Sequence, residues 1–163
     1  MGWWAGKVRQ AVRHATGRVS QADRRALAGW LTGPQLRLFE SMPRPDQRHG
    51  LDVVATLRAA GHDDPELLLA GLLHDCGKGP SVGFWHRVAW SLGDRYGWAP
   101  LSWTRRLPGF PDAFERIRAH ADRSAALAID AGCSPRTAAL IRHQAAPLEP
   151  IVGEALRLAD EQN

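Results

Sequence analysis

The chain has 163 residues, which suits a single domain with its own hydrophobic core. The net charge is +4, and residues 1–62 carry ten Lys and Arg against four Asp and Glu. This basic segment favours an anionic partner, such as a phosphate-bearing substrate or a membrane surface. The alternative is that the basic residues serve solubility alone. The chain has only two cysteines, and their spacing is not that of a metal site, so we expect no disulfide framework. No apolar segment is long enough for a membrane span or a secretory signal, so we predict a cytoplasmic protein.

The hydrophobic periodicity of the first half predicts helices and no strand. The expected helices cover residues 3–16, 20–31, 34–39 and 47–60, with Ser20 as an N-cap and Gly61 as a terminator. Asp64 and Pro65 then begin an almost purely apolar helix that ends at the dipeptide His74-Asp75.

The second half continues in the same way. A helix is expected over residues 81–96, followed by a loop over 97–111 with one turn of helix. A long helix over 112–131 ends at Gly132, Ser134 caps another that ends near residue 143, and the last helix contains residues 154–160. We therefore predict one all-α domain over 1–163, with an N-terminal helical extension at about 1–42.

The dipeptide His74-Asp75, within LLAGLLHDCGKG, is the strongest indication of chemistry. Because the helix before it is apolar, the imidazole and the carboxylate are expected to be buried, which costs free energy unless something compensates them. A metal ion is the simplest compensation. Adjacent residues on a helix diverge by about 100°, so both can face one ion only where the helix ends, as Gly77 and Gly79 predict here.

Further candidate ligands lie on other predicted helices: His49, His120 in the middle of its helix, His143 and Asp160. Imidazole and carboxylate donors suit Fe, Mn, Zn or Ni, and the lack of a thiolate set argues against a structural zinc finger. A single histidine on a helix is more often a packed or surface residue. The order His…His-Asp…His…His…Asp is harder to explain in that way.

Over roughly residues 47–163 this pattern resembles the HD-domain superfamily of metal-dependent phosphohydrolases. The motif LLHDCGK carries the resemblance, including a lysine three residues after the aspartate. The resemblance implies an HD-domain helical bundle in which one metal is held by His49, His74, Asp75 and Asp160. In the binuclear branch two more histidines bind a second metal, with the HD aspartate bridging, and here these are His120 and His143. The nearest branch in pattern is the bacterial symmetrical dinucleoside tetraphosphate hydrolase type, through IRHQ and the ending LRLADEQN.

The function implied is cleavage of a nucleotide or another small phosphate ester by a hydroxide that bridges two divalent ions (Fe, Mn, Zn, Ni or Mg). Asp75 is the expected bridge, and Lys78 is the expected cation for charge on the phosphoryl oxygens. The alternative for Lys78 is a lysine that interacts with a helix C-terminus. No nucleic acid partner is expected. Two other functions stay open: an HD-type di-iron oxygenase with the same ligands, and a non-catalytic, metal-binding regulatory or membrane-associated module.

Seven tryptophans are an unusual number for this length, and four of them lie between the HD motif and His120: Trp85, Trp90, Trp98 and Trp103. They predict either a wall over the metal site or ordinary packing of irregular segments. Trp3 and Trp4, with a basic helix behind them, resemble a peripheral membrane anchor.

Overall fold

The structure, a computed structural model, describes residues 19–163, which form nine α-helices and two 3₁₀-helices and contain no strand. The predicted all-α class is confirmed. The predicted helix over 3–16, with the proposed anchor Trp3 and Trp4, lies outside the described residues. No helix within residues 19–163 is long and apolar enough to cross a bilayer.

The helices follow one another with short connections. Those of the first half are α1 Gln21–Ala28, α2 Gly33–Ser41, α3 Arg44–Ala59 and α4 Pro65–Leu73, followed by the 3₁₀-helix Cys76–Lys78. Those of the second half are α5 Phe84–Tyr96, the 3₁₀-helix Ala99–Arg106, α6 Phe110–Arg118, α7 His120–Asp130, α8 Pro135–Arg142 and α9 Val152–Gln162.

The predicted helix boundaries hold where the sequence supplies a cap. Ser20, Asp64 and Ser134 each accept a hydrogen bond from a backbone N–H in the first turn of their helix. Gly61 and Gly132, just beyond α3 and α7, have φ of 86° and 80°, a left-handed conformation that glycine adopts without strain.

Two predicted elements differ from the structure. The helix predicted over 112–131 is broken at Ala119 (φ −95°, ψ 7°), which separates α6 from α7. At the break the imidazole Nδ1 of His120 lies 2.5 Å from the carbonyl oxygen of Ile117 and donates to it. A side-chain donor thus satisfies a carbonyl at a helix end, and His120 begins a helix instead of lying in the middle of one. The segment predicted as a loop over 97–111 contains the eight-residue 3₁₀-helix Ala99–Arg106.

The main hydrophobic cluster, which we call the main cluster, is built on α4 and is mostly aliphatic. It draws on α1–α4 and α7–α9 and includes Leu27, Phe39, Val53, Leu72, Ile141 and Leu156. Helix α4 packs against α3, α8 and α9. A Cβ on Gly50 would lie 2.5 Å from the carbonyl oxygen of Leu72, so α3 and α4 approach more closely than any larger residue allows. This close approach brings His49, the residue before Gly50, towards the end of α4.

A second, smaller aromatic cluster lies between α5, the 3₁₀-helix Ala99–Arg106 and α6. Its members are Val82, Ala89, Ala113, Phe114 and Ile117, with Trp90, Trp98 and Phe110 packed against them. Trp90 and Trp98 thus pack as core residues, whereas Trp85 is 71% exposed and Trp103 is 57% exposed. A buried ion pair joins α5 to the first turn of α3, since Arg87 Nη1 lies 2.7 Å from Asp46 Oδ1.

Candidate metal centre

Three side chains from three helices converge at the end of α4. His49 comes from α3, His74 is the C-cap of α4, and Asp160 comes from α9. One ligand atom of each lies within 4.8 Å of the other two. His49 Nε2 lies 2.8 Å from Asp160 Oδ1, and His74 Nε2 lies 3.4 Å from the same oxygen. The structure therefore brings together two imidazoles and a carboxylate that are far apart in the sequence.

His74 is oriented as a metal-binding histidine usually is. Its Nδ1 lies 2.9 Å from the carbonyl oxygen of Gly71, and because a carbonyl only accepts, Nδ1 carries the proton. Its Nε2 is buried without a hydrogen-bond partner of good geometry, with Asp160 Oδ1 and Asp75 Oδ1 at 3.4 and 3.5 Å. A buried ring nitrogen in this state is costly unless a proton or a cation lies between it and the carboxylates.

Asp75 has one carboxylate oxygen paired and the other free of hydrogen bonds. Its Oδ2 lies 2.5 Å from Lys78 Nζ, while its buried Oδ1 has no partner. The 3₁₀-helix Cys76–Lys78 explains the pairing, because residues three apart eclipse one another in that geometry. The Asp75 side chain is only 3% exposed. Asp75 and Lys78, both candidate site residues from the sequence, are thus in direct contact.

The charges of His74, Asp75 and Asp160 depend strongly on one another. Burial disfavours the charged form of His74, but the attraction of Asp75 and Asp160 outweighs it and raises the pKa of His74 to about 9. Burial likewise opposes ionisation of Asp75, yet Lys78 and His74 hold its pKa well below the usual value. The pKa of Asp160 is lowered too, because the charge on His74 and the hydrogen bond from His49 outweigh its partial burial. Two ionised carboxylates thus surround the protonated ring of His74, whose Nε2 proton a cation could replace.

The donor set fits a divalent transition metal. His49, His74, Asp75 and Asp160 offer two ring nitrogens and two carboxylates, a mixture that suits Mn, Fe or Zn. The neighbouring thiol adds no further charge, because burial raises the pKa of Cys76 to about 12 and keeps it protonated. The orphaned nitrogen of His74 and the orphaned oxygen of Asp75 are the atoms that such an ion would satisfy.

His120 lies on the far side of Asp75. Its Nε2 lies 3.6 Å from Asp75 Oδ1. Helix α7, which begins at His120, packs tightly on the 3₁₀-helix Cys76–Lys78, and this packing holds the two residues together. There the backbone N–H of Gly77 donates to Ser124 Oγ at 2.8 Å. Burial and the nearby Lys78 ammonium lower the pKa of His120, so its ring is neutral. His120 is predicted as a metal ligand; the structure places its ring against Asp75 but outside the group formed by His49, His74 and Asp160.

The structure does not bring His143 together with the other predicted ligands. His143 follows the last residue of α8 and lines a small surface depression with Pro147, Leu148 and Gly153. The next residue, Gln144, lies inside instead, with its Nε2 2.9 Å from His120 Nε2. Nothing in the sequence singles out Gln144, because α8 ends at Arg142 and the helical phase cannot be extended past that residue.

Comparison with known proteins found nothing similar. No family model matches the chain, and neither a curated protein nor a solved structure is significantly similar to it. The likeness to HD-domain hydrolases therefore remains a prediction from the residues quoted above. The geometry around His74 is independent of that likeness, since it follows from the packing of α3, α4 and α9.

Proposed function

We propose that the chain is a metal-dependent phosphohydrolase that cleaves an ester or anhydride bond of a small phosphate-containing substrate, with nucleotides as the expected class. One observation carries the proposal: two buried atoms without partners, His74 Nε2 and Asp75 Oδ1, lie 3.5 Å apart beside His49 and Asp160. Burying such atoms unsatisfied is costly, and a bound cation removes that cost.

The residues that would hold a divalent ion are His49, His74, Asp75 and Asp160. When bound, such an ion polarises a phosphoryl oxygen and lowers the pKa of a coordinated water. The two carboxylates match the charge of a dication, and Gly71 keeps the lone pair of His74 turned inward by accepting its Nδ1 proton. The Asp160 side chain is 38% exposed, so the centre is open to solvent on that side.

Lys78 has two roles in this proposal. Its ammonium fixes Asp75 through Oδ2, which leaves Oδ1 to face His74 and His120. With 18% of its side chain exposed, it can also donate a second N–H to a phosphoryl oxygen at the solvent side. Hydrolysis forms a bond from a water oxygen to phosphorus and breaks the bond to the leaving oxygen, which takes a proton. The positive charge of Lys78 stabilises the negative charge that builds up on the phosphoryl oxygens.

The experiment is an assay of the purified chain with Mn²⁺ or Fe²⁺ on a panel of nucleotides, dinucleoside polyphosphates and simple phosphomonoesters, in which both inorganic phosphate and nucleotide products are measured. We expect turnover of at least one class, lost in Asp75→Asn. Asp63→Asn is the matched control, because Asp63 is an exposed aspartate before the cap of α4, and it should keep full activity. Release of phosphate that survives in Asp75→Asn would contradict the proposal.

The same sample separates the other functions. Oxygen uptake by the Fe²⁺-loaded chain without phosphate release would indicate the di-iron oxygenase, which requires more ligands than the structure assembles. Metal binding with neither activity would indicate a non-catalytic module. The exposure of Asp160 and of His120, 22% of whose side chain is accessible, favours a site that admits a substrate.

A further inference from the structure

Gln144 is a buried amide that is only half satisfied. It is 7% exposed, and its Nε2 lies 2.9 Å from His120 Nε2. Its Oε1 is buried and has no hydrogen-bond partner. A buried amide oxygen without a donor is uncommon, which makes the position of this side chain informative.

The contact with Gln144 determines what His120 can bind. Because Nδ1 of His120 donates to Ile117, Nε2 of His120 carries the lone pair. The rings of His120 and His74 flank Asp75 Oδ1 at 3.6 and 3.5 Å. They differ in one respect: Nε2 of His74 has no hydrogen-bond partner, whereas Nε2 of His120 accepts a hydrogen bond from Gln144.

Ligands for a second cation are too few on the His120 side. Among residues 19–163, His120 belongs to no group of three mutually close His, Cys, Asp or Glu ligand atoms, and His143 lines another surface. The other oxygen of Asp75 is held by the ammonium of Lys78, which repels a cation. Against the two carboxylates of Asp75 and Asp160, one dication and the ammonium of Lys78 already leave an excess of positive charge, which a second dication would increase.

We propose that the centre binds one divalent cation, at His49, His74, Asp75 and Asp160, and that it takes no second ion because the residue beside His120 is the amide Gln144 and not a further imidazole or carboxylate ligand. This inference rests on the proposed metal centre and goes beyond it in fixing the number of ions. Gln144 is therefore a positioning residue, which orients the ring of His120 beside Asp75 without a metal of its own.

The experiment is a titration of the metal-free full-length chain with Mn²⁺, followed by calorimetry and by electron paramagnetic resonance. We expect one Mn²⁺ per wild-type chain and the spectrum of an isolated ion. Gln144→His, which replaces the amide by a second imidazole beside His120, should bind two ions and show a magnetically coupled pair. Gln144→Leu, which removes the amide without adding a donor, should bind one, and so should His143→Ala.

Each outcome has a distinct meaning. Two ions on the wild-type chain, or a lower number in His143→Ala, would overturn this inference and leave the proposed hydrolase intact. One ion on a well-folded Gln144→His variant would overturn the role given to Gln144. No bound ion on the wild-type chain would overturn the metal centre and the proposed function together. The wild-type titration decides the number of ions even if a variant does not fold, and it does not depend on finding the substrate.

Discussion

The main cluster and the aromatic cluster are built in different ways. The main cluster is aliphatic, and residues such as Leu67, Leu72 and Leu156 are completely buried in it. The aromatic cluster has few fully buried members, and on the helices that form it the rings of Trp85 and Trp103 are exposed. All four side chains of the proposed ion site come from the helices of the main cluster or from the residues that follow α4.

The difference shows where this chain needs precision. Ligand atoms must hold their positions to within fractions of an ångström, and rigid packing of short aliphatic side chains provides that. The aromatic cluster meets the main cluster at the pair of Asp46 and Arg87, one helical turn before His49. We expect it to cover the site from outside and to contribute little to metal binding.

The largest effect is expected from removing a ligand. His49→Ala should weaken Mn²⁺ binding by more than about 100-fold, because loss of an outer-shell partner alone typically costs 10–100-fold. The matched control in the aromatic cluster is His86→Ala. The His86 ring packs on Phe110, with centroids 4.5 Å apart, and accepts from the N–H of Gly83. Calorimetric titration should give His86→Ala the wild-type affinity; equal losses in both variants would remove the contrast between the clusters.

A smaller effect, on turnover only, is expected from Lys78→Met. Loss of one charged donor to a developing negative charge typically lowers kcat by about 100-fold or more. Affinity for Mn²⁺ should stay the same or rise, because the ammonium no longer competes for Asp75. Arg105→Met is the control: Arg105 lies over the ring of Trp98 at 5.1 Å, and its loss should leave turnover unchanged. A parallel fall in metal affinity and turnover would show that Lys78 only supports the fold of the site.

Much of this contrast could be predicted from the sequence, and the part that could not has physical reasons. The caps at Ser20, Asp64 and Ser134 are local interactions, so the helix starts they mark were predicted correctly. The break at Ala119 depends on a side-chain hydrogen bond that periodicity does not show. Which of two adjacent side chains, His143 or Gln144, points inward was likewise unpredictable, since both follow the end of α8.

The burial of His74-Asp75 is predicted from the sequence, because an apolar helix that ends in an imidazole and a carboxylate is expected to bury them. The structure gives His74 1% exposure, in agreement. The partition of the tryptophans was not predictable. Trp90 and Trp98 pack edge to face, with ring centroids 5.4 Å apart, whereas Trp85 lies on the surface. The residues around the three tryptophans do not indicate which of them is packed.

Two glycines allow the clusters to be perturbed separately. In Gly50→Ala the new Cβ would lie 2.5 Å from the backbone oxygen of Leu72, so α3 must move away from α4. We expect about 1–3 kcal/mol lower free energy of unfolding, as for other overpacked positions, together with weaker Mn²⁺ binding through His49. In Gly93→Ala the Cβ would lie 2.6 Å from the ring of Trp98.

The Gly93→Ala variant should lose stability to a similar degree and change the near-ultraviolet circular dichroism of the packed tryptophans, with metal affinity unchanged. Denaturant unfolding and Mn²⁺ titration of both variants measure the two effects. Weakened metal binding in Gly93→Ala would mean that the aromatic cluster does help to hold the ligands.

The smallest effect concerns an ion-pair network that ties the main cluster together near its surface. Arg136 of α8 contacts Asp64 at 2.7 Å, Glu66 at 2.8 Å and Glu149 at 2.8 Å. The pKa of Asp64 is lowered because the hydrogen bond from Arg136 outweighs its burial, and that of Glu66 is lowered by hydrogen bonds from Arg136 and Ser134.

Because these carboxyl groups bind protons more weakly in the folded chain than in the unfolded one, their stabilisation is complete above their ordinary pKa of about 4 and is lost as the pH falls through their lowered values. Solvent screening limits this stabilisation, so Arg136→Met should cost at most about 1 kcal/mol of unfolding free energy at pH 7.

In Arg136→Met the loss of stability on acidification should be shallower than in the wild-type chain. Arg118→Met, which removes a fully exposed pair with Glu115 on α6, should keep the wild-type pH dependence. Urea unfolding between pH 7 and pH 3 tests this, and parallel curves for Arg136→Met and the wild-type chain would show that the network does not link α4 to α8 energetically.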